Sequence, residues 1–175
     1  MEKYLPFVGL PVLMIVGTIL FWGNMNFTTF LLCQTVIVFG YIATVIDIRT
    51  MQVPPKLLFA MLSIWVVIMF PQMFFDMSSA ISLIIPSLLG AAVGGGVLLV
   101  FYFLSKKSLG GGDVKFMAVL GLYLGIAGSI QAMIYASLAA LVIGVVLLLM
   151  KKIQRKAPIP FVPFLYFGSL VAMLI

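Results

Sequence analysis

The chain has 175 residues, of which 65% are hydrophobic and 8% charged, and its mean hydropathy is +1.33. Soluble domains carry about a quarter of their residues as charges, so a soluble enzyme and a nucleic-acid-binding domain are both excluded, despite a net charge of +6. With no histidine and a single cysteine, a disulfide framework, a CxxC zinc site and His-based nucleophilic triads drop out as well.

In chain order the apolar runs cover residues 5–22, 27–46, 57–75, 80–104, 114–127, 130–150 and 160–175. A helical crossing needs about 20 residues, which most of these supply; the fifth and the last are short. The first run follows one lysine and has no small-x-small cleavage site before a polar start, so it is expected to be a retained helix and not a removed signal peptide. The gaps at 47–56, 105–113 and 151–157 hold Arg49, Lys56, Lys106, Lys107, Lys151, Lys152, Arg155 and Lys156, whereas the gaps at 23–26, 76–79 and 128–129 hold no Lys or Arg. Lys3 precedes the first run and Lys115 lies just inside the fifth. Seven crossings therefore put all ten basic residues on one side, which is the cytoplasmic side of a cell membrane. The expectation is an all-α polytopic membrane protein, a bundle of about seven transmembrane helices with a cytoplasmic N-terminus. Six would remain if the short fifth run paired differently. Residues 1–175 form one membrane-embedded domain on this reading, with no soluble domain.

Glycines at 90, 94, 95 and 96 in the fourth run, and at 121 and 125 in the fifth, are spaced for close helix packing. The twelve methionines and fifteen phenylalanines are read as core and lipid contact.

Only four acids are present. Glu2 is near the terminus, and Asp76 sits in an outer gap as a solvated residue or a helix cap. Asp47 ends the second run as it descends to the cytoplasmic side, and Asp113 begins the fifth as it leaves that side. Two acids 66 positions apart thus fall at one depth in one leaflet. Carboxylates at membrane depth are costly and are functional candidates by default. Two adjacent carboxyls in a low dielectric share one proton, which makes an acid and a base from identical side chains. Such a pair activates a water and polarises a carbonyl without histidine, metal or cofactor. Gly110, Gly111 and Gly112 precede Asp113. They permit unusual backbone angles and close approach of another chain, at a helix N-terminus that favours an anion. The plainer reading is a flexible loop with Asp113 as a cap.

Gly110-x-Gly112-Asp113 resembles the GxGD motif of intramembrane aspartyl proteases, and "GGGDVKF" (110–116) resembles its type IV prepilin peptidase form. "DIRTMQVPPKL" (47–57) is similar to that family's first aspartate segment, and "APIPFVPFLYFG" (157–168) to its Pro- and Phe-rich approach to a late helix. The resemblance implies a peptidase domain with Asp47 and Asp113 as the catalytic pair and Gly110 and Gly112 as motif glycines. It implies an aspartic endopeptidase acting on prepilin-like membrane proteins, which carry a short basic leader, a glycine and then an apolar helix, with cleavage at the cytoplasmic face of the bilayer. Pro55 departs from the family pattern, where Asn is usual. The cysteine-rich segment and methyltransferase domain of long members have no counterpart, so the resemblance is to the short, peptidase-only form, and methylation is not implied.

Lys115, within a turn of Asp113, either pairs with it or snorkels to the interface. Pro158, Pro160 and Pro163 either make a plain helix start or leave an extended segment that binds substrate. Two other classes of function remain open at this point. One is a small ion or solute transporter that uses Asp47 and Asp113 as a cation or proton site. The other is a noncatalytic assembly subunit with the acids as caps. A signal-peptide-peptidase-type protease fits less well, because Asp47 follows Ile46 where that group has Tyr.

Overall fold

The computed structural model describes residues 9–21, 26–104, 110–150 and 159–175. They form six helices: α1 (Gly9–Phe21), α2 (Phe27–Thr50), α3 (Pro55–Phe75), α4 (Met77–Leu104), α5 (Gly111–Leu149) and α6 (Val162–Leu174). The protein is an all-α polytopic membrane protein. Helices α2 to α5 are long and apolar enough to cross a bilayer, and α6 is a shorter apolar helix. In lipid every backbone polar group needs a partner inside its own segment, and a helix supplies it. The large apolar side chains left exposed along α3, α4 and α5, such as Phe70, Phe101 and Leu141, face the surroundings of a membrane protein.

The caps are local. Pro54 and Pro55 open α3, where a missing N–H and a fixed φ do no harm. Met51 ends α2 in the left-handed conformation (φ 51°), and its N–H donates to the Asp47 carbonyl at 2.8 Å. Asp76 separates α3 from α4. Its carboxylate accepts from the Ser79 hydroxyl and amide and from the Ser78 hydroxyl. These bonds, the Ser79 hydroxyl foremost, hold its pKa down at about 2. A depressed acid adds stability above its unfolded value of about 3.9, and loses it as pH falls through the folded value. Ser79→Ala is expected to move the Asp76 titration up toward the ordinary carboxylate range, as read by NMR on labelled aspartate.

Helix α5 runs for 39 residues but is not one rod. Gly125 has φ 67° and ψ −173°, a region that only glycine occupies readily. The sequence places this break at 128–129; it lies at Gly125, and one residue makes it. Two observations give its sense. Gly144, late in α5, faces Ile159, and Ile159 lines the same cavity as Asp113 at the start of α5. Thirty-one residues of unbroken helix would span about 46 Å, so the chain doubles back at Gly125. The fifth and sixth apolar runs are the two arms of this bend, and each of the seven runs has a helical segment. The break frees carbonyls at the end of the first arm. The Trp65 indole donates to the Leu122 carbonyl at 3.0 Å, and the Tyr123 hydroxyl donates to the Met61 carbonyl at 2.6 Å, so α3 closes the gap.

Helix α4 packs chiefly on α5, and α5 on α6. At the first of these contacts backbone meets backbone. A Cβ on Gly121 would strike the Gly90 carbonyl, and one on Gly95 would come within 2.7 Å of the Ala118 Cβ. The small-residue spacing thus serves close approach. At the second, a Cβ on Gly168 would strike the Ala132 carbonyl. The core between these helices holds Met61, Phe116, Met117, Leu120 and Leu165, all fully buried.

Candidate active site

Asp47 lies in the last turn of α2 and is 3% exposed. Its Oδ2 accepts from the Val162 N–H at 3.2 Å. Val162 is the first residue of α6, and the first amides of a helix have no partner within it and carry positive partial charge. The helix that ends the chain therefore holds a carboxylate 115 positions earlier. Asp113 is the third residue of α5 and is 8% exposed. Its carboxylate accepts from the Gly110 N–H at 3.2 Å, while its own N–H donates to the Gly110 carbonyl at 3.1 Å. Asp113 thus caps its helix, and capping leaves the other carboxylate oxygen available. The two acids line one cavity of about 480 Å³ and lie within Coulombic reach of each other.

Gly110, Gly112, Lys115 and Pro160 line this cavity too. The three glycines do not owe their place to unusual backbone angles. Gly110 is extended (φ −70°, ψ 133°), and Gly125 is the one glycine with positive φ among the described residues. Space matters more at Gly110: a Cβ there would come within 2.9 Å of Asp113 Oδ2, so the carboxylate would have to shift. At Gly112 a Cβ would touch Val53 at 3.4 Å, and at Gly111 it would meet nothing within 4 Å. Of the two reasons the sequence offered for these glycines, unusual backbone angles do not apply here, and space beside a neighbouring group does at Gly110 and Gly112.

Lys115 is exposed at the cavity, and the hydrogen-bond partner of Asp113 is the Gly110 amide, not this ammonium. The prolines part company. Pro160 lines the cavity from a non-helical stretch that runs from Ile159 to Phe161. Pro163 sits in the first turn of α6 and lines a second, apolar groove. Pro158 lies outside the described residues.

The sequence reading missed the contribution of the link between α2 and α3. Met51, Gln52 and Val53 of this link line the cavity, as does Pro55 at the start of α3. Gln52 brings a carboxamide to the site three positions before Pro55, where the family pattern has Asn. The signal was present in the position of this link, which joins the helix of Asp47 to the next helix. Among the described residues no three His, Cys, Asp or Glu side chains gather to hold a metal ion, and the site offers two carboxylates and backbone amides.

A profile of the type IV leader peptidase family matches residues 34–145, a span that includes both acids and the glycine motif. The chain belongs to this family. Among curated proteins it is similar to the prepilin leader peptidase/N-methyltransferase of Xanthomonas campestris pv. campestris, at 39% identity over 46% of this chain and 30% of that protein. It is 34% identical to the Bacillus subtilis protein of the same name, over 50% of this chain and 35% of that one. With the Pectobacterium carotovorum protein of that name it shares 28% identity over 87% of this chain and 51% of the relative. The chain thus spans about a third to a half of the length of these family members. No solved structure matches it. The family match ends before α6, yet the α6 amide is what holds Asp47.

Proposed function

We propose that the chain is an aspartic endopeptidase of the cell membrane, which removes the basic leader of prepilin-like proteins at the cytoplasmic face. One observation carries this reading: Asp47 and Asp113, both buried, line a single cavity within Coulombic reach of each other. Two carboxyls so placed hold one proton between them. The ionised one takes a proton from a water in the cavity, and the water oxygen attacks the scissile carbonyl carbon. The protonated one donates to the carbonyl oxygen, so little charge builds up there. When the tetrahedral carbon collapses, the C–N bond breaks, the nitrogen leaves with the proton taken from the water, and a hydroxyl of the intermediate returns its proton to the carboxylate that had donated one as C=O re-forms. The chemistry requires no cofactor.

The depth of the site supports the substrate class. Asp47 stands three residues before the end of α2, and Asp113 is the third residue of α5. Both are therefore near one face of the bundle, the face on which the charge pattern puts every Lys and Arg. A leader joint just outside an apolar helix reaches that level while the helix stays in lipid. A transporter places its acids near the midplane, and this difference weighs against the transport reading. Gln52, Lys115 and Pro160 are assigned to the substrate-binding rim of the cavity. Arg49, Lys56 and the other basic residues set the orientation with the N-terminus inside.

The test is reconstitution of the protein in liposomes with a prepilin-like protein, followed by mass spectrometry of the product's N-terminus. Cleavage directly after the leader glycine is expected. A proton or cation flux without cleavage would overturn the reading in favour of transport. Gly110→Ala is expected to lower the cleavage rate by about 10- to 100-fold, because the added methyl displaces the Asp113 carboxylate from its place. An unchanged rate would mean that Asp113 does not work from this position.

A further inference from the structure

We propose that the apolar groove between the second arm of α5 and α6 seats the first two turns of the substrate's apolar helix. The proposal rests on the leader-peptidase reading and adds to it a place for the part of the substrate that is not cleaved. The groove has a volume of about 530 Å³ and is lined by Tyr135, Leu138, Ala139, Val142, Phe164 and Phe167, with Ile143 and Pro163 at one end. It carries no charged side chain.

Two contacts join it to the cavity of the acids. The Phe164 ring, in the groove, packs on the Phe161 ring, in the cavity, with centroids 6.3 Å apart. Ile143, in the groove, adjoins Gly144, which faces Ile159 in the cavity. From this junction the groove runs away from the acids toward Tyr135 and Phe167. The eight steps from Ile143 to Tyr135 rise by about 12 Å, a little over two helical turns.

The change in lining at Phe161 and Phe164 matches the change in the substrate. On the cavity side stand two carboxyls, Gln52 and Lys115; on the groove side every wall is apolar or aromatic. A scissile bond held at the acids would send the polar leader one way and the apolar helix the other, directly into the groove. Ala139 lies between larger neighbours, and a small residue there lets a helix approach closely. Leu138 and Phe167, both about half exposed, are the side chains that such a helix would cover.

The experiment uses the full chain in liposomes with a prepilin-like substrate. Phe167 is replaced by the photoreactive analogue benzoylphenylalanine, and Phe74, exposed at the far end of α3, is replaced likewise as a control. The expected adducts at position 167 lie on the substrate within the first turns after the cleavage site, and those at position 74 lie on lipid. Independently, Leu138→Trp fills the groove and is expected to raise KM for the helix-bearing substrate about tenfold with kcat unchanged. The unchanged kcat reports that the catalytic pair is intact. Adducts to lipid alone at position 167, or an unchanged KM for Leu138→Trp, in an enzyme that still cleaves, overturn the groove and leave the peptidase reading standing. A wild-type protein that cleaves nothing overturns the peptidase reading, and the groove with it.

Discussion

Asn in place of either Asp47 or Asp113 is expected to abolish leader cleavage, with a loss of about 10²- to 10⁴-fold and with membrane insertion intact. The amide keeps the shape of the carboxyl but neither takes a proton from water nor gives one to a carbonyl. On the proposed mechanism the two acids act as one unit, so the double substitution is expected to cost hardly more than either single one. Residual cleavage that falls in two independent, multiplicative steps would break the idea of a shared proton. Asp47 has an added structural duty, since its carboxylate accepts from the Val162 amide. Asn retains an oxygen for that bond, so α6 stays docked in the variant. The measurement is the ratio of processed to full-length substrate over time, with protease protection of the loops as the check on insertion. Because one carboxyl must be protonated and the other ionised, the wild-type rate is expected to be bell-shaped in pH.

The second large effect is on stability. Gly121→Leu is expected to unfold the bundle, or to drive α4 and α5 apart, with a cost above the 1–3 kcal/mol that is usual for overpacking. The reason is the nature of the obstacle. A side chain on Gly121 meets the Gly90 carbonyl and the Ala91 amide of α4, and backbone cannot turn aside as the end of a flexible side chain can. Gly96 supplies the contrast, because a Cβ there meets nothing within 4 Å. Gly96→Leu is expected to leave stability almost unchanged. Thermal inactivation of the two variants in detergent separates them, and equal melting of both would show that the α4–α5 contact is looser than described. Asp113 is borne on the same arm of α5, two turns below Gly121, so loss of this contact also displaces the Asp113 carboxyl.

Much of this was legible before any coordinates. Hydropathy and the alternation of charged and uncharged gaps are one-dimensional properties, and the bilayer converts them into depth. That is why Asp47 and Asp113, 66 positions apart, could be put at one level from the sequence. The helical segments followed the apolar runs because a membrane leaves a single chain few other ways to satisfy its backbone. The bend in α5 was legible only roughly. Gly121, Gly125 and Gly128 all lie near it, and local propensity does not choose among them. The choice falls on Gly125, where α4 brings Pro86 alongside and where the Trp65 indole of α3 takes up the freed Leu122 carbonyl.

The amino-acid sequence by itself determined the membrane class, the apolar segments and the level of the two acids, because each depends on the local transfer of side chains between water and lipid. Tertiary structure alone decided that Val162 donates to Asp47, that Gly110 is glycine to make room for Asp113, and that Pro163 faces a groove while Pro160 faces the acids. Those relations depend on which helices pack side by side and in what register, and contacts between residues as much as 115 positions apart leave no periodic trace along the chain.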